Sequence, residues 1–403
     1  MIINIKEWLK NKRKTSPEDI IKINKIFKSL ESDNLNNFSF LKQDKDKDLF
    51  SRIDKISSTF LGKKKIVLVG TGGSSLGAKT LLDLEYNNKI VFIENIDPEY
   101  INQKILSLNT NSLGFIIISK SGETVEVLSI LNILQNKLSS TTKLYKNSII
   151  VSDRKDSTLS RLAKKFKIPL IYHDPKIGGR YSCFSITGLL PAQISGLDSK
   201  KIKRVANEYS KKYFNIDKSL NKKNISCLID FVRRKDVSGH VFLCYQESLK
   251  SLMLWYRQLW AESLGKKGAG LHLITAMGSV DQHSQLQMWL EGRKDLIFTV
   301  VVPKKRQSDF KILDNANILP DYLNNKSVGN ILNKMCEATI QELIKLKVPV
   351  RVIYLEDDSI KSAIKLMTTL IMEVPILCEA LNINPFNQPA VEKVKKLTKS
   401  LLS

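Results

Sequence analysis

The chain has 403 residues, 42% of them hydrophobic, which is long for one core and enough for two. Lys and Arg number 64 against 40 Asp and Glu, a net charge of +24, but the excess is scattered Lys without interleaved aromatics. That argues for a solvated surface that draws anions, and against a nucleic-acid interface. Five dispersed cysteines (Cys183, Cys227, Cys244, Cys336 and Cys378) form no CxxC pair, which argues against both a disulfide framework and a zinc site. The most apolar stretch, 366–383, is broken by Glu373, Pro375 and Glu379, and the first thirty residues lack a signal-peptide core, so a soluble, cytoplasmic protein with no membrane partner is expected.

Residues 1–45 read as helical pieces and connections. Ser16-Pro17-Glu18-Asp19 predicts a helix start, with Ser as N-cap, Pro at the first helical position and acids in the first turn. The charged stretch 44–48 marks a domain boundary. From about residue 50, β-branched runs at 66–69, 90–93, 115–118, 148–151 and 170–172 alternate with helical patterns, the signature of a parallel, doubly wound sheet. Residues 198–240 are Lys-rich, helical and connecting. A second series follows, with strands at 241–244, 271–276, 296–302 and 350–355 and helices over 247–263 and 330–346. In the first of these helices Leu252, Met253, Tyr256, Leu259 and Trp260 recur at helical spacing and belong to a core. The segment beyond 360 is helical to Pro375 at least, and the chain ends in a Lys-rich helix. The division expected is 1–45 (helical segment), 46–200 and 201–375 (two α/β domains) and 376–403 (C-terminal arm).

Three turns suit an anion. The run Gly70-Thr71-Gly72-Gly73-Ser74-Ser75-Leu76-Gly77 lies between a strand and a helix, where backbone N–H groups and a helix N-terminus point at a ligand. It fails as a dinucleotide fingerprint, because Ser75 stands where Gly is needed, and as a P-loop, because Ala78 intervenes before Lys79-Thr80. Ser119-Lys120-Ser121-Gly122-Glu123-Thr124 has the same character at another strand end. Two such turns in one sheet suit a phosphomonoester, and neither offers a carboxylate cluster for Mg²⁺. In Gly178-Gly179-Arg180-Tyr181-Ser182, Arg180 could stabilise a developing anion. Farther on, Glu262 in the last turn of a helix ending at Gly265 and His283 near the start of the next could serve as a base and an acid. Singly, each of these residues reads equally as a surface group, a cap or part of a core.

In this order the segments resemble the glucose-6-phosphate isomerase (phosphoglucose isomerase) family. The likeness spans residues 67–395 and is most specific in Gly-Gly-Arg-Tyr-Ser, residues 258–265, residues 278–285 and Asn384-Pro385-Phe386-Asn387-Gln388-Pro389. It implies an α/β fold of two doubly wound parallel-sheet sugar-isomerase (SIS-type) domains with a C-terminal helical arm, in a homodimer. The implied reaction interconverts glucose 6-phosphate and fructose 6-phosphate through a cis-enediol(ate), with no metal and no redox cofactor. Gly72, Gly73, Ser74, Ser119, Lys120, Ser121, Thr124, Gln258 and Gln388 would bind the substrate. Arg180 would stabilise the enediolate and Glu262 would move the proton between C2 and C1. His283, from the neighbouring subunit, and Lys395 would assist ring opening. The chain departs from the family at Asn387, at Glu123, which sets an acid beside a phosphate turn, and around Lys395, where Lys393 and Lys396 compete. A dual glucose/mannose phosphate isomerase and a non-catalytic sugar-phosphate-binding regulator are the alternatives on this fold.

Overall fold

The computed structural model describes residues 1–32, 48–108, 112–138, 141–153, 156–215, 218–316 and 318–403. The boundary expected at 44–48 therefore lies outside the described residues but for Asp48. The chain divides into two compact units. One comprises Asn34–Ser210 and Ser248–Trp255, the other Met1–Asp33, Lys211–Glu247 and Tyr256–Ser403. The unit cut lies within a helix, Lys250–Leu264.

The first unit holds five strands: β2 Lys65–Val69, β3 Ile90–Ile93, β4 Leu113–Ile118, β5 Ser148–Ser152 and β6 Leu170–Tyr172. They form one wholly parallel sheet of order β3-β2-β4-β5-β6. The chain winds from β2 outward to β3 and then returns to the other side of β2 to form β4. The carboxyl ends of β2 and β4 thus flank the switch point, where doubly wound sheets bind ligands. The strands are near-continuous runs of Ile, Val, Leu and Phe because helices cover them; Val67, Ile117, Ile130, Leu134 and Ile150 are fully buried in one core.

The second unit holds β1 Ile2–Asn4, β7 Gly239–Cys244, β8 His272–Met277, β9 Leu296–Pro303 and β10 Val350–Leu355, in a sheet of order β1-β10-β9-β7-β8 whose last four strands are parallel. Its outermost strand corrects the reading of the N-terminus as purely helical: β1 pairs antiparallel with β10. Three residues are too few to show an alternating pattern. Trp8, in the helix Lys6–Asn11 that follows, is fully buried, donates from Nε1 to Phe298 O at 3.1 Å and lies under the Arg351 guanidinium, 4.6 Å from its ring centroid. Arg351 in turn forms a buried pair with Glu373 at 3.0 Å, and the Asn224 amide donates to the same carboxylate at 2.7 Å.

The helix start at Ser16 forms as the sequence predicts: Pro17–Ser32 is helical and Asp19 N–H donates to Ser16 Oγ at 3.1 Å. The helix entering Pro375 does not stop there; Ile360–Ala380 is continuous, so the 375/376 division falls inside it, as the 200/201 division falls inside Ser199–Asn215. Proline removes one N–H, but nearly every side chain of Ile360–Ala380 is buried, and packing outweighs the lost bond. All five cysteines are buried and outside any disulfide, and burial pushes the Cys183, Cys227 and Cys336 thiols up to about 12. Among the described residues no helix is long and apolar enough to cross a membrane.

Candidate active site

In the first unit both predicted turns stand at the carboxyl ends of the central strands. After β2 the chain makes a single 3₁₀ turn, Gly72–Ser74, and enters the helix Leu76–Asp83. Gly72 has φ +55°, a conformation side chains disfavour. Gly73 answers a different need: a Cβ there would lie 2.3 Å from the carbonyl carbon of Gly179 and 2.7 Å from Arg180 N. The two glycines therefore let this turn bend and let the Arg180 segment approach it. Ser182 Oγ lies at this contact, within donating distance of Gly73 O at 3.2 Å and of Gly179 O at 2.6 Å. Ser74 is half-buried, while Ser75 is fully buried and donates to the Glu94 carboxylate at 2.5 Å, which also accepts from Lys79 Nζ at 3.1 Å.

In the turn after β4, Ser119 is buried and its hydroxyl shares a 2.8 Å hydrogen bond with Thr124 Oγ1; it also accepts from Gly122 N–H at 3.1 Å. Gly122 has φ +66°. Ser121 is exposed. Glu123 is turned to a purpose invisible in the sequence: its carboxylate accepts from Thr158 N–H at 2.5 Å and from Thr158 Oγ1 at 2.9 Å, capping the helix Thr158–Phe166, with Arg161 at 3.8 Å. Its charge is thereby engaged by a helix N-terminus. The Lys120 ammonium donates to Pro175 O at 2.8 Å and Ile177 O at 2.9 Å.

Those carbonyls precede the third motif. Gly179–Phe184 is a 3₁₀ segment, and Arg180 within it is 2% exposed, with its guanidinium 5.3 Å from the Tyr181 ring centroid. The Arg180 carbonyl accepts from Trp255 Nε1 at 3.1 Å. Sequence patterning places Trp255 only as a helical apolar residue, and nothing in it announces this bond.

The helix Lys250–Leu264, which belongs to the second unit from Tyr256 on, presents two faces there. Tyr256, Leu259, Trp260 and Leu264 are buried, with Trp260 Nε1 donating to Leu271 O at 2.8 Å. Gln258 and Glu262, one turn apart, are half-buried together, and Gln258 Nε2 donates to Glu262 Oε1 at 2.9 Å. An amide donor on the carboxylate holds its orientation. His283 stands near the start of the next helix, as read: it ends a 3₁₀ turn, Val280–His283, just ahead of the helix Leu286–Glu291. Its neighbours hold the turn. Asp281 accepts from Met277 N–H at 2.7 Å and Ser284 Oγ at 2.7 Å, and Gln282 Nε2 donates to Tyr245 OH at 3.0 Å. His283 itself is exposed, with no hydrogen bond to its imidazole among the described residues.

At the end of the chain, Gln388 precedes the helix Pro389–Leu401, which buries none of its side chains. Lys395 is exposed and pairs with Glu392 at 2.9 Å, and Lys393 and Lys396 are exposed as well. Lys266 Nζ links the end of the Glu262 helix to this region, donating to Asn384 O at 2.5 Å. Among the described residues no group of three or more His, Cys, Asp or Glu is placed to hold a metal ion.

The chain resembles known proteins over these same elements. A profile of the phosphoglucose isomerase family matches residues 27–311. Over 354 residues the chain is 32% identical to the glucose-6-phosphate isomerase of Methanocaldococcus jannaschii, covering 86% of each. Among solved structures it aligns with a hypothetical protein of Thermus thermophilus at a TM-score of 0.85 and 25% identity, covering 100% of this chain and 99% of that one. It aligns with a glucose-6-phosphate isomerase of Chlamydia trachomatis at a TM-score of 0.77 and 17% identity, covering 88% and 73%, a likeness of fold. With the profile spanning most of both sheets and a relative of this identity matched along most of its length, the chain belongs to the phosphoglucose isomerase family.

Proposed function

We propose that the protein interconverts glucose 6-phosphate and fructose 6-phosphate by opening the sugar ring and moving one proton between C2 and C1 through a cis-enediol(ate). The observation that carries the reading is the Gln258–Glu262 pair, a carboxylate held by an amide at 2.9 Å on the helix that the family resemblance marks for the base. Glu262 takes the proton from carbon and returns it to the neighbouring carbon. Arg180 stabilises the enediolate oxygen, a task for a cation that stays charged throughout. The Gly72-Gly73-Ser74 turn and Ser119, Ser121 and Thr124 bind the phosphate through hydroxyls and backbone N–H groups, joined by Gln388. Lys395 and His283 assist ring opening.

The partner is a second copy of this chain. His283 stands exposed on a turn braced by its neighbours, which suits a residue delivered to another subunit's site. The helix Pro389–Leu401 displays Val391, Val394, Leu397 and Leu401 at helical spacing, all exposed in the single chain, an apolar stripe that a partner would cover.

A coupled assay for fructose 6-phosphate conversion, run alongside mannose 6-phosphate, tests the reaction. Turnover of fructose 6-phosphate that falls away on dilution to monomer is expected. Binding of sugar phosphate without turnover at any protein concentration would leave a regulator on the same fold and sink the isomerase.

A further inference from the structure

Lys120 lies between Ser119 and Ser121, where a cation would ordinarily be assigned to the phosphate itself. Its ammonium is directed elsewhere, to Pro175 O at 2.8 Å and Ile177 O at 2.9 Å. These two carbonyls bracket the loop that carries the chain from β6 to Gly178 and Arg180. The backbone of Lys120 adds to the same junction, its carbonyl accepting from Asp153 N–H at 3.0 Å. On the other side of the loop His173 N–H donates to Ser152 O at 2.7 Å. The His173 imidazole is 2% exposed, and burial first, then the Lys120 charge, pushes it down to about 4, so it stays neutral and sets no second cation against Lys120.

Arg180 is restrained on two further sides. Its N–H lies against Gly73, where a Cβ would come within 2.7 Å, and its carbonyl accepts from the Trp255 indole at 3.1 Å. Those contacts fix the peptide planes next to Arg180 but not the direction from which the chain arrives. The approach runs through the 174–177 turn, which Asp174 holds by accepting from Ile177 N–H at 3.0 Å and Lys176 N–H at 2.8 Å, and whose carbonyls at 175 and 177 Lys120 holds. We propose that Lys120 is a positioning residue for Arg180, tying the Ser119–Thr124 turn to the 175–177 loop so that turn and guanidinium keep a fixed spacing. The role deepens the isomerase reading and rests on it for what Arg180 does. Hydrogen bonds from a charged donor are the stronger kind, and two from one ammonium pin both ends of a three-residue segment. Misplacing a stabilising group by ~1 Å can cost ~10²-fold in rate.

Lys120→Met keeps the length of the stem and deletes the ammonium. Its kcat should fall ~10- to 100-fold, while KM and the inhibition constant for inorganic phosphate move less than ~3-fold. In an Arg180→Lys background the same change should cost less than ~3-fold more, because residues acting as a unit are not additive. Lys120→Arg, which retains charged donors, should recover part of the rate. A ~10-fold weaker inorganic phosphate with kcat intact would make Lys120 a phosphate ligand and overturn the proposal. Full additivity with Arg180→Lys, or unchanged kinetics, overturns it as well. Hydrogen exchange over residues 174–181 reads the tether without any reaction, and the amides should exchange faster in Lys120→Met. Lys120→Gln takes the same measurements if the Met variant does not accumulate folded. A wild type inert toward sugar phosphates but with responsive exchange would sink the isomerase and keep the tether. An active wild type with unresponsive exchange would sink the tether alone.

Discussion

At the carboxyl end of the first sheet the groups suited to an anion are small, uncharged and locked: Ser119 against Thr124 at 2.8 Å, Gly73 against the backbone of Gly179 and Arg180, and Gly122 in a left-handed turn. In the second unit the groups proposed for the proton chemistry are titratable and stand outward, Glu262 half-buried on a helix and His283 exposed on a turn. Both sheets are five-stranded and built mainly of parallel strands, so the strand arrangement alone does not decide what a sheet can do. The difference lies in the turns. Binding a phosphate calls for backbone N–H groups fixed in place before the ligand arrives, and glycine and hydroxyl residues supply that rigidity. Moving a proton calls for a carboxylate or imidazole that substrate can reach; Gln258 donates to the Glu262 carboxylate, while Asp281 and Gln282 brace the turn that carries His283.

Removing the base tests that division most severely. Glu262→Gln keeps the size of the side chain, and kcat should drop ~10³- to 10⁴-fold, the upper part of what general-base catalysis supplies. Affinity for sugar phosphate should stay within ~3-fold, since the phosphate turns are untouched. Isothermal titration beside the coupled assay separates the two quantities. Turnover within ~10-fold of wild type would remove Glu262 from the chemistry altogether.

The residue types behind that prediction are legible in the sequence, as is most of the fold. The strands at 90–93, 170–172 and 350–355 come out as read because a buried parallel strand is a short, uninterrupted β-branched run. β1 escapes because its three residues gain strand geometry only by pairing with β10. The helix read as running to Pro375 at least continues to Ala380, because tertiary burial permits what local propensity disfavours. At the site, sequence order locates Lys120, Glu123 and His283 but not their direction. The ammonium of Lys120 goes to carbonyls more than fifty residues away, and Glu123 caps a helix that begins at Thr158. Such aims depend on which strand ends are neighbours, and only the sheet order supplies that.

On the phosphate side the largest loss should follow Gly73→Ala. The added methyl would sit 2.3 Å from backbone, which cannot yield as a side-chain tip can. Overpacking of this kind costs ~1–3 kcal/mol, to be read as a lowered thermal midpoint, and the displaced Arg180 segment should take kcat down ~10²-fold. A variant with wild-type stability and rate would show that the close approach serves nothing. Ser119→Ala is milder. It removes one hydroxyl from the turn and leaves its N–H groups, so KM should rise ~10-fold with kcat within ~3-fold, the mark of binding that is equal in ground and transition states. A change confined to kcat would move Ser119 from the anion cradle to the proton chemistry and blur the contrast between the two sheets.

The smallest effect, and the most discriminating for the phosphate turn, belongs to Glu123. An acid beside a phosphate site should repel it, and if that repulsion operates, Glu123→Ala will lower KM. The geometry argues otherwise, because the carboxylate accepts from Thr158 N–H and Oγ1 and lies near Arg161, so its charge is spent on a helix N-terminus. Glu123→Ala should therefore cost ~1 kcal/mol or less of stability, as loss of a partly exposed cap does, and leave KM for sugar phosphate within ~2-fold. The Ser157–Ser160 capping box remains in that variant and limits the damage to the helix. A clear gain in substrate affinity with no loss of stability would mean that the carboxylate faces the phosphate in solution, and the first sheet's turns would then be less purely an anion cradle than their hydrogen bonds indicate.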